Sequence, residues 1–292
     1  MKLSTLQTKN NHFTISAFDH RSSLVKLLGL DETDEERLKQ QMIEVKSLFM
    51  KIFSPISSGV LTDPIYGLDT LEDKAKSCGL LMSLEESGYD ADKTELPKLL
   101  PNWGIKGIKE HGSSAKMLLY FNPKEKAAML KKELIVQLYA LAKKEDIPFL
   151  LELVLFPLED EAEFKKDWHT LQLESVGIFQ GLCDVLKIEY PGLHASSEEH
   201  ASLFCEMISK ATAVPWIILS RGMKYELFFQ ALKISMDKGA AGFAVGRAVW
   251  QEIDNYSLEK TGSWQESLTQ MQDFLENIAV GRLEGLIELV EK

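Results

Sequence analysis

The stretch IPFLLELVLF (147–156) is the longest apolar run in the chain, and a single charge, Glu152, interrupts it. It is too short to cross a bilayer as a helix. A short apolar run bounded by turn residues reads instead as a buried parallel strand, covered on both faces. Assigned to residues 148–156, that strand has seven companions of the same kind: Phe13–Phe18, Ile56–Leu61, Gly79–Leu84, Ala115–Phe121, Val185–Tyr190, Pro215–Leu219 and Ala241–Val245. Helix-like sequence separates them. Asp34–Phe53 repeats apolar residues at helical spacing (Leu38, Met42, Val45, Leu48, Phe49, Ile52), and Lys124–Glu145 does the same. Glu198–Thr212 has Ser197 as its N-cap, and Met223–Lys238 runs into a Gly239 suited to the position after a helix. Eight strands alternating with helices predict an α/β fold, a single-domain (β/α)8 TIM barrel over residues 1–292, with a C-terminal helical extension from about residue 263. A doubly wound sheet would leave two strands unexplained.

Composition agrees. The chain has 292 residues, 45% hydrophobic and 26% charged, which suffices for a large core. A formal net charge of −11 with no Lys/Arg cluster argues against nucleic-acid and membrane partners. It leaves room for a small anionic substrate in a local basic pocket. Cys78, Cys183 and Cys205 are isolated from one another, and the six histidines show no ligand-like pairing, so neither a disulfide framework nor a metal site is expected. The opening MKLSTLQTKNN lacks the apolar run of a signal peptide, so a cytoplasmic protein is expected.

The chemistry is read from charges that interrupt strands. Lys116 lies in SSAKMLLYF, Glu152 in IPFLLELVLF and Lys187 in CDVLKIEYP, on predicted strands four, five and six. Neither face of a barrel strand is freely wet, so three lone charges on neighbouring strands predict an inward Lys–Glu–Lys cluster. Two lysines sharing a site disfavour each other's protonation, and a neutral amine attacks a carbonyl. A covalent lysine imine is therefore the expected chemistry. Further polar residues fall at the strand ends, where barrels carry their sites. Asp19, His20 and Arg21 follow strand one. Ser220, Arg221 and Gly222 follow strand seven, and Gly246 and Arg247 follow strand eight. The last two groups offer backbone N–H groups, a hydroxyl and a guanidinium, which suit a phosphate. Asp63 and Glu85, after strands two and three, read as helix caps. Glu189 is either a partner of the site or a solvated residue.

AFDHR (17–21), SAKMLLYF (114–121), IPFLLEL (147–153), DVLKIEYP (184–191), VPWIILSRG (214–222) and GFAVGRAVW (242–250) together resemble the class I tagatose 1,6-bisphosphate aldolase family, within the deoxyribose-phosphate aldolase-like barrels. The resemblance implies metal-free aldol cleavage of a phosphorylated ketose. It makes Lys187 the Schiff-base lysine, Lys116 the second lysine, Glu152 the acid/base carboxylate and Asp19 a contact to substrate hydroxyls. It gives Ser220, Gly222, Gly246 and Arg247 a terminal phosphate. His20 and Arg221 differ from the family's usual Gln and small residue. AFDHR also resembles an aldolase-like module of inositol catabolism, and PWIILS with GRAVW is similar to sulfofructose-phosphate aldolases. The expected partner is a small-molecule sugar phosphate, with no cofactor and a homo-oligomer plausible. A metal-dependent aldolase, a sugar-phosphate isomerase and a phosphosugar-binding protein without turnover are the alternatives.

Overall fold

A computed structural model of the chain describes residues 2–88 and 91–292. Eight parallel strands close into one barrel in sequence order: β1 (Phe13–Ala17), β2 (Gly59–Thr62), β3 (Gly79–Ser83), β4 (Ser114–Phe121), β5 (Phe149–Leu155), β6 (Val185–Glu189), β7 (Trp216–Leu219) and β8 (Gly242–Val245). The pairing of β8 back onto β1 excludes an open doubly wound sheet. Strand two begins at Gly59, later than the run Ile56–Leu61 suggested. Ser57 N–H still bonds Phe53 O, so residues 56–58 complete the turn that leaves the preceding helix.

The helices are α1 (Ser22–Leu28), α2 (Glu35–Phe53), α3 (Ile105–Glu110), α4 (Ala128–Lys144), α5 (Glu161–Phe179), α6 (Glu198–Ala211), α7 (Tyr225–Asp237), α8 (Arg247–Trp250), α9 (Leu258–Thr261), α10 (Trp264–Phe274) and α11 (Val280–Glu291). Local chemistry sets several starts: Asp34, Asp160, Ser197 and Ser263 each accept a backbone N–H of the first turn. Helix α4 begins four residues later than its periodicity suggested. Asn122 and Glu125 close a turn there, with Asn122 N–H donating to Glu125 Oε1. Helices α10 and α11 run on through a single π-helical stretch, and Met271, Phe274, Leu275, Leu283 and Leu286 bury this extension against the chain's own barrel. Among the described residues no helix is long and apolar enough to cross a membrane.

Two apolar layers result. The outer one lies between strands and helices. The inner one fills the lower barrel with Phe13, Ile15, Ala17, Leu61, Leu81, Leu150, Val185, Ile217 and Ala244, closed from below by Leu6. Side chains alternate along a strand, so the next inward positions are two residues on. Leu150 leads to Glu152, Val185 to Lys187 and Ala17 to Asp19. The inward face is thus apolar at the bottom and charged at the rim. Register completes the arrangement, because Glu152 pairs directly with Lys187 across β5 and β6.

Closure depends on one glycine. Gly242 sits at φ +131 opposite Phe13, and a Cβ there would lie 2.0 Å from Phe13 O. Gly242→Ala is expected to lower stability by about 1–3 kcal/mol, since backbone must move to admit the methyl. Urea denaturation checks this as a lower midpoint at unchanged slope; an unchanged midpoint contradicts it.

Candidate active site

The charged rim forms one chain of contacts. Glu152, at the centre, divides its carboxylate between two lysines: Oε1 lies 2.8 Å from Lys187 Nζ and Oε2 lies 3.0 Å from Lys116 Nζ. Lys116 Nζ also meets Asp19 Oδ2 at 2.8 Å and Glu85 Oε1 at 2.7 Å. All five side chains are close to fully buried, at 12% exposure or less. Glu85 is fixed in turn, because its Oε2 accepts Leu118 N–H at 3.1 Å.

The electrostatics depart from the expectation of two mutually destabilised lysines. Burial alone would push the Lys116 amine down, but Asp19, Glu152 and Glu85 outweigh it and hold the amine well above the usual lysine range. The ammonium form of Lys116 is therefore strongly favoured. Burial likewise opposes the charge on Glu152 and Asp19, yet both carboxyls are held below their ordinary range, Glu152 by Lys116 and Lys187, and Asp19 chiefly by Lys116. Both are carboxylates, acceptors rather than donors at rest. Among the described residues no group of His, Cys, Asp or Glu is arranged to hold a metal ion. The three carboxylates that do converge are engaged by a lysine.

The eleven residues assigned to the site from the sequence line one cavity of about 310 Å³: Asp19, His20, Arg21, Lys116, Glu152, Lys187, Ser220, Arg221, Gly222, Gly246 and Arg247. His20 stands edge-on to Trp250 with ring centroids 5.1 Å apart. Its ring is pushed down to about 4, first by burial and then by the cations Arg247, Lys46 and Lys187, against the pull of Asp19. It is a neutral imidazole near pH 7. Gly246 lets this corner close, since a Cβ there would lie 2.9 Å from Ala17 O and 3.1 Å from His20 Cε1. Arg247 lies against the turn after β7, its Cζ 3.6 Å from where a Gly222 Cβ would be.

Two arginines are already engaged. Arg21 Nη2 donates to Glu85 O. Arg221, in the left-handed region at φ +47, pairs through Nη1 with Glu189. Glu189 is buried, and burial pushes its carboxyl up to about 7 although Arg221 and the Leu155 N–H favour its charge. That answers the open reading of Glu189 as a partner of a cavity residue.

Sequence reasoning misread Glu85. It caps no helix; it stands inside the site against Lys116. The signal was the alternation Leu81, Ser83, Glu85, which continues the inward phase of β3 past its last residue. Asp63 does cap a turn, accepting Ile65 and Tyr66 N–H, but it also pairs with buried Lys46 at 2.5 Å. Ser22, Ser23 and the segment Glu86–Gly88 line the cavity without any signal in the sequence.

Comparison with known proteins follows the same lines. Residues 13–252 match the model of the DeoC/LacD family aldolase. The tagatose 1,6-diphosphate aldolases of Staphylococcus aureus strains MSSA476 and MW2 are each 33% identical over 270 aligned residues, covering 84% of this chain and 82% of the relative. Among solved structures, the fructose-bisphosphate aldolase of Plasmodium falciparum superposes with a TM-score of 0.69 at 13% identity, covering 98% of this chain and 92% of the other. A Schiff-base-forming fructose-1,6-bisphosphate aldolase gives 0.63 at 17% identity, covering 98% and 96%. At such identities the structural likeness speaks to the barrel, while the family match and the closer relatives speak to the lineage. The chain belongs to the DeoC/LacD family of aldolases.

Proposed function

We propose that this protein is a class I aldolase that cleaves tagatose 1,6-bisphosphate to dihydroxyacetone phosphate and glyceraldehyde 3-phosphate through an imine on Lys187. One observation carries the reading: Glu152 gives one oxygen to Lys187 and the other to Lys116, so one lysine is tied to a lone carboxylate while the other is saturated with three. The named relatives support this substrate, as does the corner formed by Ser220, Gly222, Gly246 and Arg247, which suits the C1 phosphate. His20, Arg21 and Arg221 border the rest of the sugar.

The steps balance within this set. Glu152 takes a proton from the Lys187 ammonium, and the lone pair so freed on Nζ attacks C2. The same proton returns to the former carbonyl oxygen and gives a carbinolamine. A second proton, released from nitrogen and relayed by Glu152, lets that oxygen leave as water and an iminium remains. Glu152 then removes the C4 hydroxyl proton; the C3–C4 bond breaks and its electrons move into the iminium as an enamine. The aldehyde leaves, C3 is protonated, and hydrolysis frees dihydroxyacetone phosphate. Lys116 stays charged throughout. It steadies the carboxylate and stabilises negative charge as it develops, while Asp19 orients the hydroxyls.

Borohydride reduction in the presence of dihydroxyacetone phosphate is expected to label Lys187 alone, as read by peptide mass mapping. Lys187→Ala should abolish both label and cleavage, and EDTA should leave the parent enzyme unaffected. An adduct elsewhere, or near-normal cleavage by Lys187→Ala, overturns the mechanism. Glu152→Gln is expected to reduce kcat about 10²–10⁴-fold, the usual range for a lost acid/base. Tagatose 1,6-bisphosphate should give the highest kcat/KM among tagatose, fructose, sulfofructose and deoxy-keto-gluconate phosphates. A higher value for one of the latter two reassigns the group at the far end.

His20 supplies a pH test. Its folded value of about 4 lies below its ordinary 6.5. On acidification the unfolded chain therefore takes up the proton first. The stability tied to a neutral His20 is present above pH 6.5 and is lost as pH falls toward 4, with an upper bound of about 3 kcal/mol. His20→Gln should shrink the difference in urea stability between pH 7.5 and 4.5. A variant whose pH dependence parallels the parent's would contradict a buried neutral imidazole.

A further inference from the structure

We propose that Lys46, which lies outside the cavity, is a positioning residue for the aldol reaction: its amine clamps the two carbonyls that flank Asp19 and thereby fixes the carboxylate facing Lys116. The proposal rests on the aldolase reading above. Strand β1 ends at Ala17, and its last bond toward β2 runs from Phe18 N–H to Leu61 O at 2.8 Å. Beyond that point the chain leaves the sheet. The carbonyls of residues 18 and 20 then need partners that no neighbouring strand supplies, and buried carbonyls are seldom left without one.

Lys46 supplies them. It sits on the core-facing stripe of α2 with Met42, Val45 and Phe49, and its side chain is wholly buried. Nζ donates to Phe18 O at 2.6 Å and to His20 O at 2.9 Å, and it meets Asp63 Oδ2 at 2.5 Å. Two of its donors hold the carbonyls, and the Asp63 carboxylate balances its charge. Asp63 is itself fixed, because its Oδ1 accepts Ile65 N–H at 2.9 Å and Tyr66 N–H at 3.0 Å. One nitrogen therefore joins the end of β1 to the end of β2. Between the two clamped carbonyls stands residue 19, with Oδ2 2.8 Å from Lys116 Nζ. A buried charge serving stability alone could take any nearby carbonyl. This one takes the pair on either side of the acid, so rotation of the Asp19 segment breaks a bond to Lys46 in either direction.

The test separates positioning from folding by counting sites. Borohydride trapping with dihydroxyacetone phosphate titrates functional Lys187, and cleavage rate is divided by that titre. In Lys46→Met/Asp63→Asn, where no buried charge is orphaned, turnover per trapped site should fall about 10–100-fold, the scale of an ångström's misplacement. Trapping should stay at the parental level. Lys46→Gln/Asp63→Asn, whose amide still has donors for the carbonyls, should recover most of that turnover. Asp63→Asn alone, with both carbonyl bonds intact, should stay within about threefold of the parent. If Lys46→Met/Asp63→Asn keeps parental turnover per trapped site and loses only stability, the proposal is overturned. Should that variant not fold, Lys46→Leu/Asp63→Asn takes its place: a tenfold or greater loss per trapped site supports the clamp, and parental turnover overturns it. Failure of the aldolase reading is visible separately, as absence of trapping in the parent enzyme.

Discussion

Five buried charges in an unbroken line hold the upper barrel together: Asp19 and Glu85 on Lys116, Lys116 on Glu152, and Glu152 on Lys187. Each would cost several kcal/mol if buried alone. Paired in this order, each cation meets at least one anion and each carboxylate at least one donor. The line also constrains the backbone, because its members come from within β4, β5 and β6 and from just past the ends of β1 and β3. A shift of any of these strands by one residue would turn its charge outward into the apolar helical layer. The register that closes the barrel and the register that assembles the site are the same, so the fold has no relaxed alternative that keeps one and loses the other.

The two lysines differ by count rather than by kind. Lys116 is surrounded by three carboxylates and is the most heavily compensated cation in the cavity. Lys187 has one carboxylate, directly across the β5–β6 ladder. Covalent chemistry at an amine requires that its proton leave, and the group with one exchangeable partner can do this with far less rearrangement than the group with three. Lys116 nonetheless acts on the outcome, since its fixed charge keeps Glu152 ionised and so keeps a base within reach of Lys187.

The barrel and the line of charges were largely legible in the sequence because both rest on short-range rules. Apolar runs bounded by turns give the strands, and a lone Lys or Glu inside such a run has no comfortable place in a closed sheet except the polar end of its interior. What stayed hidden is what needs phase carried across an element boundary. Glu85 follows Leu84 outside the apolar run, so it resembled the start of a helix; only the inward phase of Leu81 and Ser83 marks it as a site residue. The strong charge on Lys116 was hidden for the same reason. With Glu85 read as a cap, the sequence presents two lysines for one central carboxylate, and mutual repulsion becomes the expectation.

Parallel strands of unequal length leave carbonyls at the C-terminal end without ladder partners, in the very place where loops must be held still to carry a site. Lys46 of α2 answers this at β1. Lys131 of α4 answers it at β4, donating to Tyr120 O at 2.9 Å, to Lys93 O at 2.6 Å and to Glu125 Oε2 at 2.8 Å. Both lysines are wholly buried, both stand on helix faces otherwise turned to the core, and each ties a strand end to a neighbouring loop through hydrogen bonds to carbonyls and an ion pair. A lysine suits this task better than an amide or a hydroxyl, because its long stem reaches from the helical layer and its donors diverge toward separate acceptors. In an amphipathic helix of a barrel, a lysine on the apolar stripe is therefore a readable sign: it marks which strand end on the far side is being held, and so which loop the chemistry needs kept in place.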